Sequence, residues 1–243
     1  MKLDTIESSN YYYVNHKKAF EGIQISKEVI QTVTDFAYEM NFGTGHHRNC
    51  RTGGEYDRKK GEKFCNTFQG KLAEAVLHHY FKSEGLEVKE PDFGIYTKGV
   101  WDDCDLEIQG KKINVKSAAF QSNLLLLETR DWNAQAQYIP NHLLNNGATV
   151  QYDYFILVRI EPDIKKVFKT ERLLFSNEIE RKAIDTILLA QNWKFDIAGY
   201  CTNNDVITAI EKDYILPQNA VLNQYTKMDA SNYHIQSGDL GCI

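Results

Sequence analysis

Residues 104–118 read CDLEIQGKKINVKSA. Short apolar–polar alternations flank a glycine, so the expectation is a strand over 105–108, a tight turn over 109–112 containing Gly110, and a return strand over 113–117. Side chains alternate between the two faces of a strand. Ile113 and Val115 therefore go to one face, while Asn114 and Lys116 go to the other. Asp105 starts the partner strand. The hairpin presents an oxygen donor and an ammonium side by side, opposite a carboxylate.

Working outward, residues 27–41 place Val29, Ile30, Val33, Phe36, Ala37 and Met40 at helical spacing. A polar, glycine-rich stretch over 43–63 reads as a loop. A second helix is expected over 66–84, with Phe68, Leu72, Ala75, Val76, His79 and Tyr80 as its buried stripe and Gly85 as its stop. Beyond the hairpin, NLLLLET (123–129) reads as a buried strand. YFILVRI (154–160) is the most apolar strand and suits the centre of a covered sheet. Residues 176–191 read as a helix with Ile179, Ala183, Ile187 and Leu188 inward, and the last fifty residues as short strands and turns. The expected fold is α/β (α+β): a central mixed β-sheet flanked by helices, in a single domain spanning 1–243. An N-terminal helical segment and basic loop occupy about 1–63, and the core about 64–200.

With 243 residues and 42% hydrophobic content there is enough apolar material for one sizeable core. No apolar run approaches the roughly 18 residues of a membrane span, and the opening residues lack an apolar signal-peptide centre. Five scattered cysteines make no disulfide framework. These features lead to the expectation of a cytoplasmic protein with no membrane partner. A net charge of -5 counts against a protein that coats nucleic acid non-specifically, but not against an enzyme with local basic loops.

Phosphodiester hydrolysis needs a hard cation held by one or two carboxylates, plus a nearby lysine that orients the attacking water or stabilises developing charge. Glu74, within QGKLAEAV on the second helix, is placed to support such a cation. A lysine that merely solvates a sheet edge is the competing interpretation of the hairpin taken alone. The order of a helix with Gly70 and Glu74, then Asp105, then a hairpin carrying Asn114 and Lys116, resembles the PD-(D/E)xK nuclease superfamily, which includes type II restriction endonucleases and Holliday-junction resolvases. The likeness covers roughly residues 64–160, with 151–160 matching the next core strand. It implies a restriction-endonuclease-like sheet and a Mg²⁺-dependent endonuclease acting on double-stranded DNA. It also implies Asp105, Asn114 and Glu74 around the metal, Lys116 assisting the water, and a homodimer matched to a palindromic site. The alternatives are a non-cutting DNA-binding module on a nuclease-like scaffold, or a structure-specific resolvase, repair or transposition nuclease.

Asn114 stands where that family has Asp or Glu, and a neutral amide is a poorer Mg²⁺ ligand than a carboxylate. Three explanations stand open. The acid comes from Glu74, Asp103, Glu107 or Glu128; the protein has kept binding and lost cutting; or this chain carries an Asp→Asn change at 114. Asp92 is a rival for the first carboxylate.

In the loop, Arg48, Arg51, Arg58, Lys59 and Lys60 are the candidate DNA contacts, arginines among glycines suiting phosphates or guanine edges. His46, His47, Cys50 and Cys65 do not form a compact zinc set, and a structural metal there stays open. Tyr11, Tyr12 and Tyr13 are expected to pack on the first helix. Residues 229–240 read either as a closing hairpin of the fold or as a substrate contact.

Overall fold

The computed structural model describes residues 2–6, 9–43, 57–94, 104–139 and 150–243. A five-stranded mixed sheet organises the chain, in the order β3(Ile23–Gln24), β10(Lys194–Thr202), β9(Tyr154–Glu161), β5(Lys111–Ala119), β4(Leu106–Ile108). β5 and β9 run parallel; the other pairs are antiparallel. The two faces of this sheet are covered differently. Ile113, Ile156, Val158 and Ile160 point into a cluster filled by α1(Lys27–Phe42), α2(Lys60–Ser83), α3(Ile164–Thr170) and α4(Arg181–Leu189). Phe155 and Leu157 point the other way, into a second cluster built from β6(Leu124–Glu128), Trp132, Tyr152, α5(Asn203–Glu211) and β14(Asn232–Gln236). Covering on both sides is why β9 has no polar face to alternate with.

α1 begins at Ser26, whose side chain accepts the Val29 N–H, and buries Ile30, Val33 and Ala37 as the spacing predicts. α2 ends at Ser83, and Gly85 just beyond it has φ +80°. The Leu86 N–H bonds the Phe81 carbonyl and the Gly85 N–H bonds that of Lys82, a glycine stop of the expected kind.

Several expectations are corrected. α2 starts at Lys60, so the last residues read as loop are helical. The Gly61 N–H bonds the Ser176 carbonyl, and Gly61 lies so close to the Leu173 carbonyl that no side chain fits; both contacts are more than a hundred residues away in sequence. His79 is exposed and Tyr80 half-buried, while Leu77 and His78 are inside, so the stripe is rotated from the expected one. The helix expected over 176–191 is confined to α4, with Ile184 and Leu188 innermost. The last fifty residues hold a nine-residue strand, β10, and the nine-residue α5, not only short strands and turns. Tyr11, Tyr12 and Tyr13 form β2(Tyr11–Tyr13), which pairs with β1(Asp4–Ile6) and β12(Val221–Leu222), not with α1. Residues 229–240 contribute β14, which closes a sheet against β6 and β11(Ile215–Leu216). Among the described residues no helix is long and apolar enough to cross a membrane.

Candidate active site

The β4–β5 hairpin turns through Gln109 and Gly110, with φ of 49° and 73°, the left-handed pair of a two-residue hairpin loop. Its register sets Leu106 opposite Ile113 and Glu107 opposite Lys112. Carried one pair further, residue 105 falls opposite 114. The Asp105 carboxylate accepts the Val115 N–H at 2.7 Å, which fixes it across the strand carrying Asn114 and Lys116. Asn114 is buried, and the Lys116 ammonium lies 5.8 Å from the centre of the Trp132 ring. Both belong to the face opposite the helices, as the alternation requires.

Burial pushes the Asp105 carboxyl above its usual range, against the pull of the nearby Lys116 and Lys71 ammonium groups and the Val115 N–H. Tyr152, just before β9, touches the same cluster. Burial and the Asp105 charge push its phenol up, while a hydrogen bond with the Asn114 side chain acts in the other direction. Asn114 Oδ1 is buried without a hydrogen-bond partner. Such an orphaned acceptor in a protein interior is costly and calls for a ligand or water. The Cys104 thiol is pushed up to about 11, chiefly by burial, so at neutral pH it is not a nucleophile.

Glu74 sits on α2, the helix that covers the other face, and its carboxylate accepts from Lys71 Nζ at 2.5 Å. Lys71 also donates to the Asp92 carbonyl at 2.9 Å. The Lys71 ammonium that pairs with Glu74 also acts electrostatically on Asp105, favouring its charged form. α2 is held on β5 by contacts such as Gln69 Nε2 to Ser117 Oγ at 3.4 Å. The rival acid Asp92 turns its carboxylate to the Gly94 N–H, at 2.6 Å.

No family model, curated protein or solved structure matches this chain significantly. The site is therefore built from its own residues alone. Tyr152, Trp132 and Lys71 are the members that sequence reasoning missed. Lys71 carried a readable signal, three residues from Glu74 on one helix face; Tyr152 and Trp132 carried none, since only the fold brings them to the hairpin.

Of the candidate DNA contacts, Arg48 and Arg51 lie outside the described residues, as do His46, His47, Cys50 and Asp103. Arg58 has an ion pair with Asp229 at 3.8 Å, the Lys59 N–H bonds Glu62 at 3.0 Å, and Lys60 lies over the Phe42 ring. They mark the start of α2, roughly 21 Å along the helix from Glu74 at 1.5 Å per residue. Cys65 is buried in the helical core, where its thiol lies 4.0 Å from the Ile164 carbonyl and is pushed up by burial; the other three zinc candidates lie outside the described residues.

A Mg²⁺ ion asks for one or two carboxylates, other oxygens and retained waters. Asp105 offers a carboxylate and Asn114 an unpartnered amide oxygen, the donor types such an ion takes. Among the described residues no three His, Cys, Asp or Glu side chains gather as a full ligand set.

Proposed function

We propose that this chain is a Mg²⁺-dependent endonuclease of double-stranded DNA, of the type II restriction kind, acting in the cytoplasm as a symmetric dimer. One observation carries the proposal: the hairpin register sets Asp105 across from Asn114, whose side-chain oxygen is buried and unpartnered, with Lys116 on the same face. The parallel pairing of β5 with β9 supports it, since the resemblance in sequence runs through both strands.

Asp105 and Asn114 would hold the ion, which when bound neutralises the scissile phosphate and acidifies the attacking water. Lys116 lies beside Asp105, where an ammonium stabilises negative charge developing on phosphate oxygens and orients the water. Burial around Asp105 strengthens both interactions by excluding solvent. Lys71, paired with Glu74, is a second ammonium that acts electrostatically on Asp105.

A second reading has its own observation. Asn114 is neutral, and the described residues lack a full ligand set, which favours a module that binds DNA without cutting it. Supercoiled plasmid incubated with Mg²⁺ separates the two, using the chain as given, Asn114→Asp, and Lys116→Ala in each background. The nuclease reading predicts cutting that rises with Asn114→Asp and falls about a hundredfold or more with Lys116→Ala. Salt-dependent binding with no cleavage in any version supports the binding module instead.

A further inference from the structure

A cavity of about 390 Å³ opens between the start of β9 and the N-terminal end of α5. Tyr152 forms part of its wall and also has a hydrogen bond with the Asn114 side chain, so this one residue links the cavity to the candidate active site. Its size lies near the lower end of the roughly 300–1,000 Å³ typical of small-ligand pockets. Three amides line it. Gln151 Nε2 donates to Asn203 Oδ1 at 3.2 Å, and Asn203 Nδ2 to the Ala136 carbonyl at 3.3 Å. The Asn204 amide makes no side-chain hydrogen bond among the described residues, and both Gln151 and Asn204 are exposed. Tyr154 adds an aromatic wall, held edge-on by the Tyr200 ring at 5.7 Å.

No Lys or Arg is among the residues that line the cavity, and its one charged side chain is an acid that is already paired. Asp153 is engaged by Lys111 at 3.2 Å and by the Lys112 N–H at 2.9 Å. The first turn of α5, where a phosphate would otherwise dock, is already taken by Asp205, which accepts the Thr202 N–H at 2.8 Å. What suits these walls is a neutral, planar group with donors and acceptors on its edge. Asn and Gln side chains pair with base edges in this way, and tyrosine rings stack on base faces.

We propose that the cavity receives one nucleobase of the substrate strand, next to the phosphate held at Asp105 and Lys116. The identity of the strand as DNA rests on the nuclease reading; the recognition of a base does not. Two measurements separate them. The first titrates short duplexes of varied sequence, without Mg²⁺, into the full chain and into the double variant Gln151→Ala, Asn204→Ala. Both residues are exposed, so the fold is expected to persist, and a thermal melt checks this. The second titrates free adenosine, guanosine, cytidine and thymidine while following backbone amide resonances of residues 151–154 and 203–204. The proposal predicts about tenfold weaker duplex binding in the double variant, loss of sequence preference, an unchanged salt slope, and resonance shifts with at least one nucleoside. Nucleoside shifts without any duplex binding uphold the cavity and sink the nuclease reading. Unaltered duplex binding with no nucleoside shift, or weakening that is uniform across sequences, overturns the cavity and leaves the nuclease reading standing. Binding of neither probe overturns both.

Discussion

Asp105 holds a carboxylate where burial works against its ionisation. Its pKa in the folded chain lies above the value of 3.8 for the free side chain, chiefly through burial, with Lys116 and Lys71 only partly offsetting it. The contribution of such a group to stability is fully present below its unfolded pKa and is lost as pH rises through the folded one. Asp105→Asn keeps the shape and an acceptor for the Val115 N–H but removes the titration. Thermal melts are therefore expected to match in acid and to separate in favour of the variant as pH climbs above about 4; a gap that ignores pH would contradict this account of Asp105. On the proposed nuclease reading, the same variant is expected to abolish Mg²⁺-dependent cutting while gaining stability. Asp105, Asn114 and Lys116 were readable from the sequence because strand alternation alone decides which of them share a face. Tyr152 was not, since its approach to Asn114 depends on a strand pairing some forty residues away.

The hairpin is the element that brings those three residues together. Gln109 and Gly110 both adopt left-handed backbone, and a β-branched residue at the second position costs about 1–2 kcal/mol. Gly110→Val is expected to lower the urea midpoint accordingly and to reduce duplex cleavage further than the loss of folded protein explains, because the turn sets the 105–114 register. Cleavage that tracks only the folded fraction would show that the register is set elsewhere. This hairpin, α1 and β9 were legible because their signals are local: a glycine turn, helical spacing, an unbroken apolar run. The start of α2 was not, since Lys60, Gly61, Glu62 and Lys63 are polar and become helical against the Leu173–Ser176 segment. α5 was missed although its Thr202 and Asp205 pair reciprocally as a capping box, which four residues of sequence could have shown.

Across the molecule, one buried ion pair ties the N-terminal segment to the central sheet. Arg159 on β9 meets Asp196 on β10 through two bonds, at 2.9 and 2.5 Å, and its remaining donors reach the Lys18 and Ala19 carbonyls at 2.9 and 2.7 Å and Asn123 Oδ1 at 3.2 Å. Both side chains are almost wholly inside. Removing one partner of such a pair strands the other charge, so Asp196→Ala is expected to cost about 3–5 kcal/mol in urea unfolding. A loss below about 1 kcal/mol would mean that water reaches Arg159. Nothing in YFILVRI announced this role; the arginine sits in the most apolar run of the chain, and its partner and carbonyl acceptors lie far away in sequence.

The claim on which the rest depends is that positions 105 and 114 hold a common divalent ion. Calorimetric titration of Mg²⁺ into the chain as given, into Asn114→Asp and into Asp105→Ala tests it without relying on activity. The account predicts weak binding in the first, binding at least about tenfold tighter in the second, and none in the third. Equal affinity in all three, or tight binding that survives Asp105→Ala, would contradict it.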